Sequence, residues 1–199
     1  MRTHTVTTYH YDELSDDAKE KARYWYLPDG LEYEWWDHTY DTARDAGRIL
    51  GVDIDEIFFS GFWSQGDGAC FTGSYKYKAG WRKALRAEFG GDALASLERI
   101  GQELQDVQQP FLYQLEATVT HRGHYQHSGC AYVDVVNART GDNAPDVPAN
   151  AIQDALRGFM DLVYRWLENE YQYRTSEEVI AETIQANEYE FTEAGSIYQ

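Results

Sequence analysis

Apolar residues recur along this chain with two different periods, and the periods take turns. Where the spacing is three to four, the pattern predicts helices. Leu14-Ser15-Asp16-Asp17 opens the first, with Ser15 as N-cap and acids in the first turn. It carries Ala18, Ala22 and Trp25 on one face and stops at Pro28-Asp29-Gly30. A second helix is predicted from about Glu32, with Trp36, Tyr40, Ala43, Gly47 and Leu50 on its stripe and Gly51 as its stop. A short one over Trp81–Glu88 ends at Gly90-Gly91. The next runs from Asp92, with Leu94, Leu97, Gly101, Leu104 and Val107 aligned, and ends before Pro110. From Asn150 a long helix carries Ile152, Leu156, Phe159, Val163 and Trp166. Thr175-Ser176-Glu177-Glu178 has the form of a capping box opening a last helix with Val179, Ile180 and Ile184. Asn137–Ala149, with two prolines, reads as a loop-rich insertion. Tyr189 and Phe191 alternate with acids near the end, as a short edge strand would.

Two stretches alternate with period two, and each predicts a hairpin. In Ile57–Tyr77, centring the turn on Asp67 leaves Gly66-Asp67-Gly68 as a three-residue loop. Gln65 then faces Ala69, Trp63 faces Phe71, Gly61 faces Gly73, Phe59 faces Tyr75 and Ile57 faces Tyr77. The odd-numbered face becomes almost wholly apolar, as a half-buried antiparallel pair requires. The paired glycines leave bare backbone where a helix, a large side chain or a ligand approaches closely. The turn is not a P-loop, because no Gly-Lys-Ser/Thr follows at the required spacing. Nor does it hold the alternating oxygen ligands and distal Glu of an EF-hand. The second hairpin spans Tyr113–Val136. Together these elements predict an α+β fold: an antiparallel sheet of two β-hairpins covered by N- and C-terminal helices. At 199 residues the chain is most simply a single domain, 1–199.

Charge changes the picture. The net charge is −17, unevenly placed. Residues 10–56 hold 14 acids against 5 bases and residues 140–199 hold 12 against 3, while 57–139 carry 8 of each. Acidic flanks of this kind repel nucleic acid, whose phosphates need clustered Lys and Arg. They attract a basic partner, including a protein that itself handles nucleic acid. The plainer role of such charge is solubility. The start, MRTHTVTTYH, lacks the basic and apolar regions of a secretory signal. No apolar run approaches the roughly 20 residues of a membrane span, so no membrane association is expected. Cys70 and Cys130 make no disulfide framework and fit reduced thiols in a cytosolic protein.

Candidate chemistry lies in the second hairpin, within HRGHYQHSGC. His121, His124, His127 and Cys130 recur every third residue. The flanks, Leu115–Thr120 and Ala131–Val135, alternate and are β-branched, so the run is not a helix and its spacing builds no chelate. No metal and no cofactor are expected. In strands, His121 and His127 share a face, and His124 points the other way or sits in the turn. Two adjacent hairpins would set their tips side by side. Trp63, Ser64, Gln65, Asp67, His121 and His127 then form a polar, titratable rim on an apolar sheet, a candidate binding surface. A cysteine–histidine nucleophile is a weaker alternative, since neither thiol sits at a predicted helix N-terminus. Glu177 and Glu178 are the candidate partner-binding acids of the last helix.

The blocks ELSDDAKEKARYWY, EWWDHTYDTARDAGRILGVDIDEIFFSGFWSQGDGACFTGSYKY, YQLEATVTHRGHYQHSGC and NEYEFTEAG span most of the chain. In them it resembles a family of small uncharacterised bacteriophage and prophage proteins, some labelled antitoxin-like. That resemblance supplies no catalytic residue, cofactor or substrate. It implies a setting: a phage accessory protein in the bacterial host cytoplasm. The expected function is binding, by which a bacterial defence or host nucleic-acid-handling protein is inhibited through acidic surfaces. The alternative is a small-molecule binder or metal-dependent hydrolase using the hairpin tips. On balance the chain reads as a non-enzyme.

Overall fold

The structure, a computed structural model, describes residues 5–29 and 34–198. In chain order the helices and strands are α1 (Asp16–Asp29), α2 (Asp37–Leu50), β1 (Val52–Phe59), β2 (Ala69–Lys76), α3 (Trp81–Glu88) and α4 (Gly91–Gln108). After them come β3 (Leu115–His121), β4 (Ala131–Asn137), α5 (Asp146–Arg174) and α6 (Glu177–Ala186). The chain divides into two compact units, Asp37–Glu168 and the two chain ends, Met1–Trp36 with Asn169–Gln199. The first is the sheet unit; the second is called here the terminal unit.

The sheet unit is an α+β structure. Its four strands lie antiparallel in the order β1-β2-β3-β4, so each hairpin is a neighbouring pair. One face is packed: Ala69, Phe71 and Tyr75 of β2, Leu115, Ala117 and Val119 of β3, and Ala131 and Val135 of β4 are buried. Helices from before and after the strands supply the cover. α2 packs on β1, and Phe159 of α5 meets Phe71 edge-on, 5.6 Å between ring centres. The other face keeps Asp53, Thr118, Tyr132 and Asp134 exposed. Period two in the sequence thus becomes an inside and an outside.

A polar side chain sits in the core. Gln108, the last residue of α4, is fully buried. Its amide nitrogen donates to the Leu115 carbonyl at 2.6 Å and its oxygen accepts the Leu115 N–H at 3.0 Å. Gln108 therefore serves the first residue of β3 as a neighbouring strand would. Both backbone groups find partners, so the hydrogen bonds offset the cost of burying them.

The first hairpin departs from its predicted register. Phe59 pairs with Ala69, Ile57 with Phe71, Ile54 with Gly73 and Val52 with Tyr75. Gly61 and Trp63 lie outside the ladder, and residues 60–68 form a nine-residue loop. The predicted three-residue turn Gly66-Asp67-Gly68 is replaced by one a step earlier, Ser64–Asp67, in which the Asp67 N–H donates to the Ser64 carbonyl at 3.1 Å. Two features lengthen the loop. Phe62 packs on Phe59 and on Tyr164 of α5, 5.0 and 5.5 Å between ring centres. The strand also extends upstream through a bulge between Ile54 and Glu56. The bulge leaves Asp55 and Glu56 both exposed while Val52, Ile54 and Ile57 all face the core. Gly73, opposite the bulge, is indeed a bare position. A Cβ there would fall on the Asp53 carbonyl oxygen. What approaches it is the neighbouring strand itself.

The terminal unit has its own core. Tyr11, Leu14, Ala18 and Ala22 pack with Ile180, Ile184 and Phe191, and Trp25 lies edge-on to Tyr189 and Phe191. The residues predicted for one face of the first helix are the ones that face inward. Ser15 accepts the Ala18 N–H at 3.4 Å, and α1 runs to Asp29. The tail forms single bridges, Tyr9 with Phe191 and Phe191 with Ile197, rather than a strand of the sheet.

Helix ends carry the remaining corrections. The predicted start at Glu32 lies outside the described residues; α2 begins at Asp37, after a turn at 34–36. On α4 the buried positions are Leu97, Ile100, Gly101, Leu104 and Gln108, with Leu94 and Val107 half-buried. α5 starts at Asp146 instead of Asn150; Pro148 falls in its first turn, where a missing N–H costs no helical bond. Ser176, not Thr175, caps α6, accepting the Val179 N–H at 3.4 Å.

Candidate functional site

The two hairpin tips meet. A Cβ on Gly66 would fall on the Tyr125 ring, and one on Gly68 would lie 2.5 Å from the His127 Cα. Loops 60–68 and 122–130 are therefore interlocked, and glycine is what lets them close. The two hairpin tips thus lie side by side.

The expected rim residues do separate things. Trp63 is 71% exposed, with a left-handed backbone (φ 68) and its ring against Phe62 at 5.5 Å. Ser64 and Gln65 are exposed beside it. Asp67 turns back into its own loop, where its carboxylate accepts the Ser64 N–H at 2.7 Å. Beneath the loop, the Tyr164 hydroxyl donates to the Gly61 carbonyl at 3.3 Å. Burial raises the Tyr164 pKa, and the negative charges of Asp67 and Glu168 add to the rise.

The histidines do not converge. His121, the last residue of β3, stacks on Phe58 of β1, 4.6 Å between centres and 27° between planes. Its Nε2 lies 2.9 Å from the Tyr125 carbonyl. A carbonyl only accepts, so this nitrogen carries the proton. His121 thus fixes the backbone of the loop that its strand leads into. His124 is exposed and edge-on to Tyr125. His127 turns to Cys130, with Sγ 3.5 Å from Nε2 and 3.8 Å from Nδ1. Among the described residues, no three His, Cys, Asp or Glu side chains are grouped as a metal site needs.

The two cysteines differ sharply. Cys70 is 1% exposed, and burial first, then the neighbouring Cys130 thiol, pushes its pKa up to about 12. Cys130 is half-buried, at the end of a 3-10 turn, Ser128–Cys130, that packs against β2. Sequence reasoning passed over Tyr125 and Cys130 as rim residues. The repeat of His and Cys at every third position was a signal for the Cys130–His127 contact, but a helix was needed to interpret it. A tight turn brings the same pair together.

Glu177 and Glu178 belong to the terminal unit, exposed in the first turn of α6, where acids favour the helix dipole. Glu177 pairs with Arg23 at 3.3 Å. Arg23 also donates to the Tyr11 hydroxyl at 2.9 Å, and that bond is the main cause raising its pKa. Charge is concentrated in this unit. Its 67 residues carry 15 acids and 5 bases, against 19 and 12 in the 132 residues of the sheet unit.

Among the described residues no helix is long and apolar enough to cross a membrane. No curated protein and no solved structure matches the chain. A family model does match, over residues 35–177. That range contains the whole sheet unit and leaves most of the terminal unit outside. The interlocked loops, the bulged first strand and Gln108 all lie within it. The chain belongs to the DUF8835 family, a domain of unknown function.

Proposed function

We propose that this protein acts by binding, and that its partner presents a basic, nucleic-acid-handling surface to the acidic terminal unit. The setting we propose is a phage gene product restraining a bacterial defence or host factor in the host cytoplasm. The observation that carries the reading is the excess of ten acids over bases in the 67 residues of that unit. Such a surface is electrostatically closer to a nucleic acid than to a solubility coat spread evenly over a protein. It repels nucleic acid directly and steers a cationic groove toward itself. The acids at the start of α1 and α6 stand on helices anchored by a packed core. Rigid presentation of charge lowers the ordering cost of association.

The test compares wild type with Glu177→Lys/Glu178→Lys against the partner recovered from expressing bacteria. Affinity is expected to fall at least roughly tenfold from low to physiological salt, and the reversal to act mainly by slowing association. Indifference to both would leave the acids as a solubility device. A second reading, small-molecule binding at the rim, rests on the interlocked loops with Trp63 outward. Activity lost in His121→Ala/His127→Ala but kept in the charge reversal would move the function there.

A further inference from the structure

We propose that the sheet unit binds a phosphate monoester with an uncharged, donor-bearing body, the chemistry of a nucleoside monophosphate. The site lies where β1 begins and β2 ends, at the opposite end of that hairpin from its tip. It is independent of the acidic terminal unit. Its first support is a local reversal of charge. Residues 76–86 carry five of the chain's 17 basic residues and no acid, in a chain of net charge −17. In the fold, Lys76 and Lys78 of this run are joined by Arg48 from the last turn of α2.

The second support is shape. Two cavities, of about 470 and about 440 Å³, adjoin at Arg48 and Lys78, which line both. Each is of the size that small molecules occupy. The smaller adds Lys76, Ser74 and Tyr77, and Asp53 is the one carboxylate among its described lining residues. Three cations against one acid suit a dianionic phosphate. The larger is balanced, with Asp45 and Glu88 beside Arg48 and Lys78, and Ile49 and Phe89 give it apolar wall. Carboxylates only accept hydrogen bonds, so this half selects an uncharged body that carries donors. Ribose hydroxyls and base amino groups are such donors, and the faces of a base suit Ile49 and Phe89.

The third support is that the cations are held in place. The turn between α2 and β1 is clamped to the end of β2, where the Lys76 N–H donates to the Gly51 carbonyl at 2.9 Å. A Cβ on Gly51 would fall on the Lys76 carbonyl oxygen and lie 3.3 Å from the Lys78 Cβ, so glycine is what lets this turn close. Lys78 reaches across to α2, its ammonium donating to the Arg48 carbonyl at 2.7 Å, one of the carbonyls a helix end leaves over. One of its three hydrogens is used there, and two remain for a ligand. Asp45 braces Arg48 from one turn back, and Tyr113 packs on Tyr77, 4.2 Å between ring centres. Lys76 meets Glu116 at 3.3 Å, but exposed pairs of this kind hold weakly and yield to a dianion. Groups set before the ligand arrives lower the cost of binding it.

The test is calorimetric titration of the full chain with the monophosphates of adenosine, guanosine, cytidine and uridine, with the bare nucleosides, and with inorganic phosphate. At least one monophosphate is expected to bind with a Kd below about 1 mM. Its nucleoside and inorganic phosphate are each expected to bind at least roughly tenfold more weakly. On binding, the wild-type amide resonances of Gly51, Ser74 and Lys78 should shift while those of His121 and His127 stay in place. Lys78→Ala is expected to weaken binding at least roughly tenfold. Lys83→Ala removes a charge of the same run that lines neither cavity, and should change affinity less than about twofold. Melting curves check the fold of both variants, and the wild-type resonances need no variant. No saturable binding by any monophosphate, inorganic phosphate binding as tightly as the ester, or equal losses in the two variants would overturn the proposal. So would a DNA duplex that binds more tightly than every monophosphate, since the basic run would then be a nucleic-acid surface.

Discussion

The sheet unit and the terminal unit solve the same problem with different means. The sheet unit closes its core with four paired strands, and Gln108 takes up the backbone groups of Leu115 at the start of β3. The terminal unit relies on two short helices and a bridged tail around seven buried residues. Net charge runs the opposite way, with the smaller core carrying the denser charge. Mutual repulsion of acids works against compactness, so the terminal unit is the one expected to open first. The family match follows the sheet unit. The matched range covers the scaffold with the interlocked loops, and most of the acid-rich terminal unit lies outside it.

The comparison breaks most readily at Gly73. Its backbone (φ 150) and the Asp53 carbonyl both refuse a side chain. Gly73→Ala is expected to cost upwards of about 4 kcal/mol or abolish folding, because the clash is with backbone rather than with a side chain that can move. Gly61→Ala, by contrast, would place its Cβ only within 3.9 Å of the Asp67 carboxylate. It pays only for its φ of 102, about 1–3 kcal/mol. Chemical denaturation of both variants decides the register; equal costs would bring back the pairing of Gly61 with Gly73.

The division into units is tested at Phe191, fully buried against Trp25. Phe191→Ala is expected to cost about 3–5 kcal/mol of local stability. Hydrogen exchange should speed up at 9–26 and 177–191 while the amides of Ile57, Phe71, Ala117 and Val135 keep their protection. Loss of protection in the sheet to the same degree would mean one cooperative unit.

A smaller effect distinguishes the sheet unit by pH. Burial holds Cys70 at about 12 against an ordinary 9.0, and Tyr75 at about 12 against 10.0. A raised folded pKa means that the folded state keeps its protons longer than the unfolded one. The stability this contributes is complete below pH 9 and is lost as pH climbs toward 12, at roughly 1.4 kcal/mol per unit per group. Cys70→Ala is expected to flatten the first part of that decline, from pH 9. A slope unchanged in thermal melts across this range would place the alkaline sensitivity elsewhere.

Much of this was legible in the amino-acid sequence. Helix faces follow from spacing, and Ala18, Ala22, Leu97, Leu104, Ile152, Leu156, Phe159 and Ile184 are buried where the stripes put them. The α+β class and the second hairpin follow from alternation, and so does the meeting of the tips. The first hairpin shows why the rest was hidden. Its strands were predicted six residues out of register: Phe59 was assigned to Tyr75 and pairs with Ala69. An even shift leaves every side chain on its own face, so period two cannot distinguish the two registers. A single odd step would have betrayed itself by turning the core outward.

The sequence therefore determined which residues face inward, where the helices run, and that acidic charge gathers at both ends of the chain. These are local properties, readable within one turn or one pair of pleats. Tertiary structure alone decided the loop length, because Phe62 finds Tyr164 about a hundred positions away. It decided the bulge, which realigns Val52 and Ile54 with Ile57 across two exposed acids. It decided that His121 holds a backbone while His127 meets Cys130. It also joined the two ends into one acidic unit. Each of these outcomes depends on segments distant in sequence competing for the same space, and no window along the chain contains both competitors.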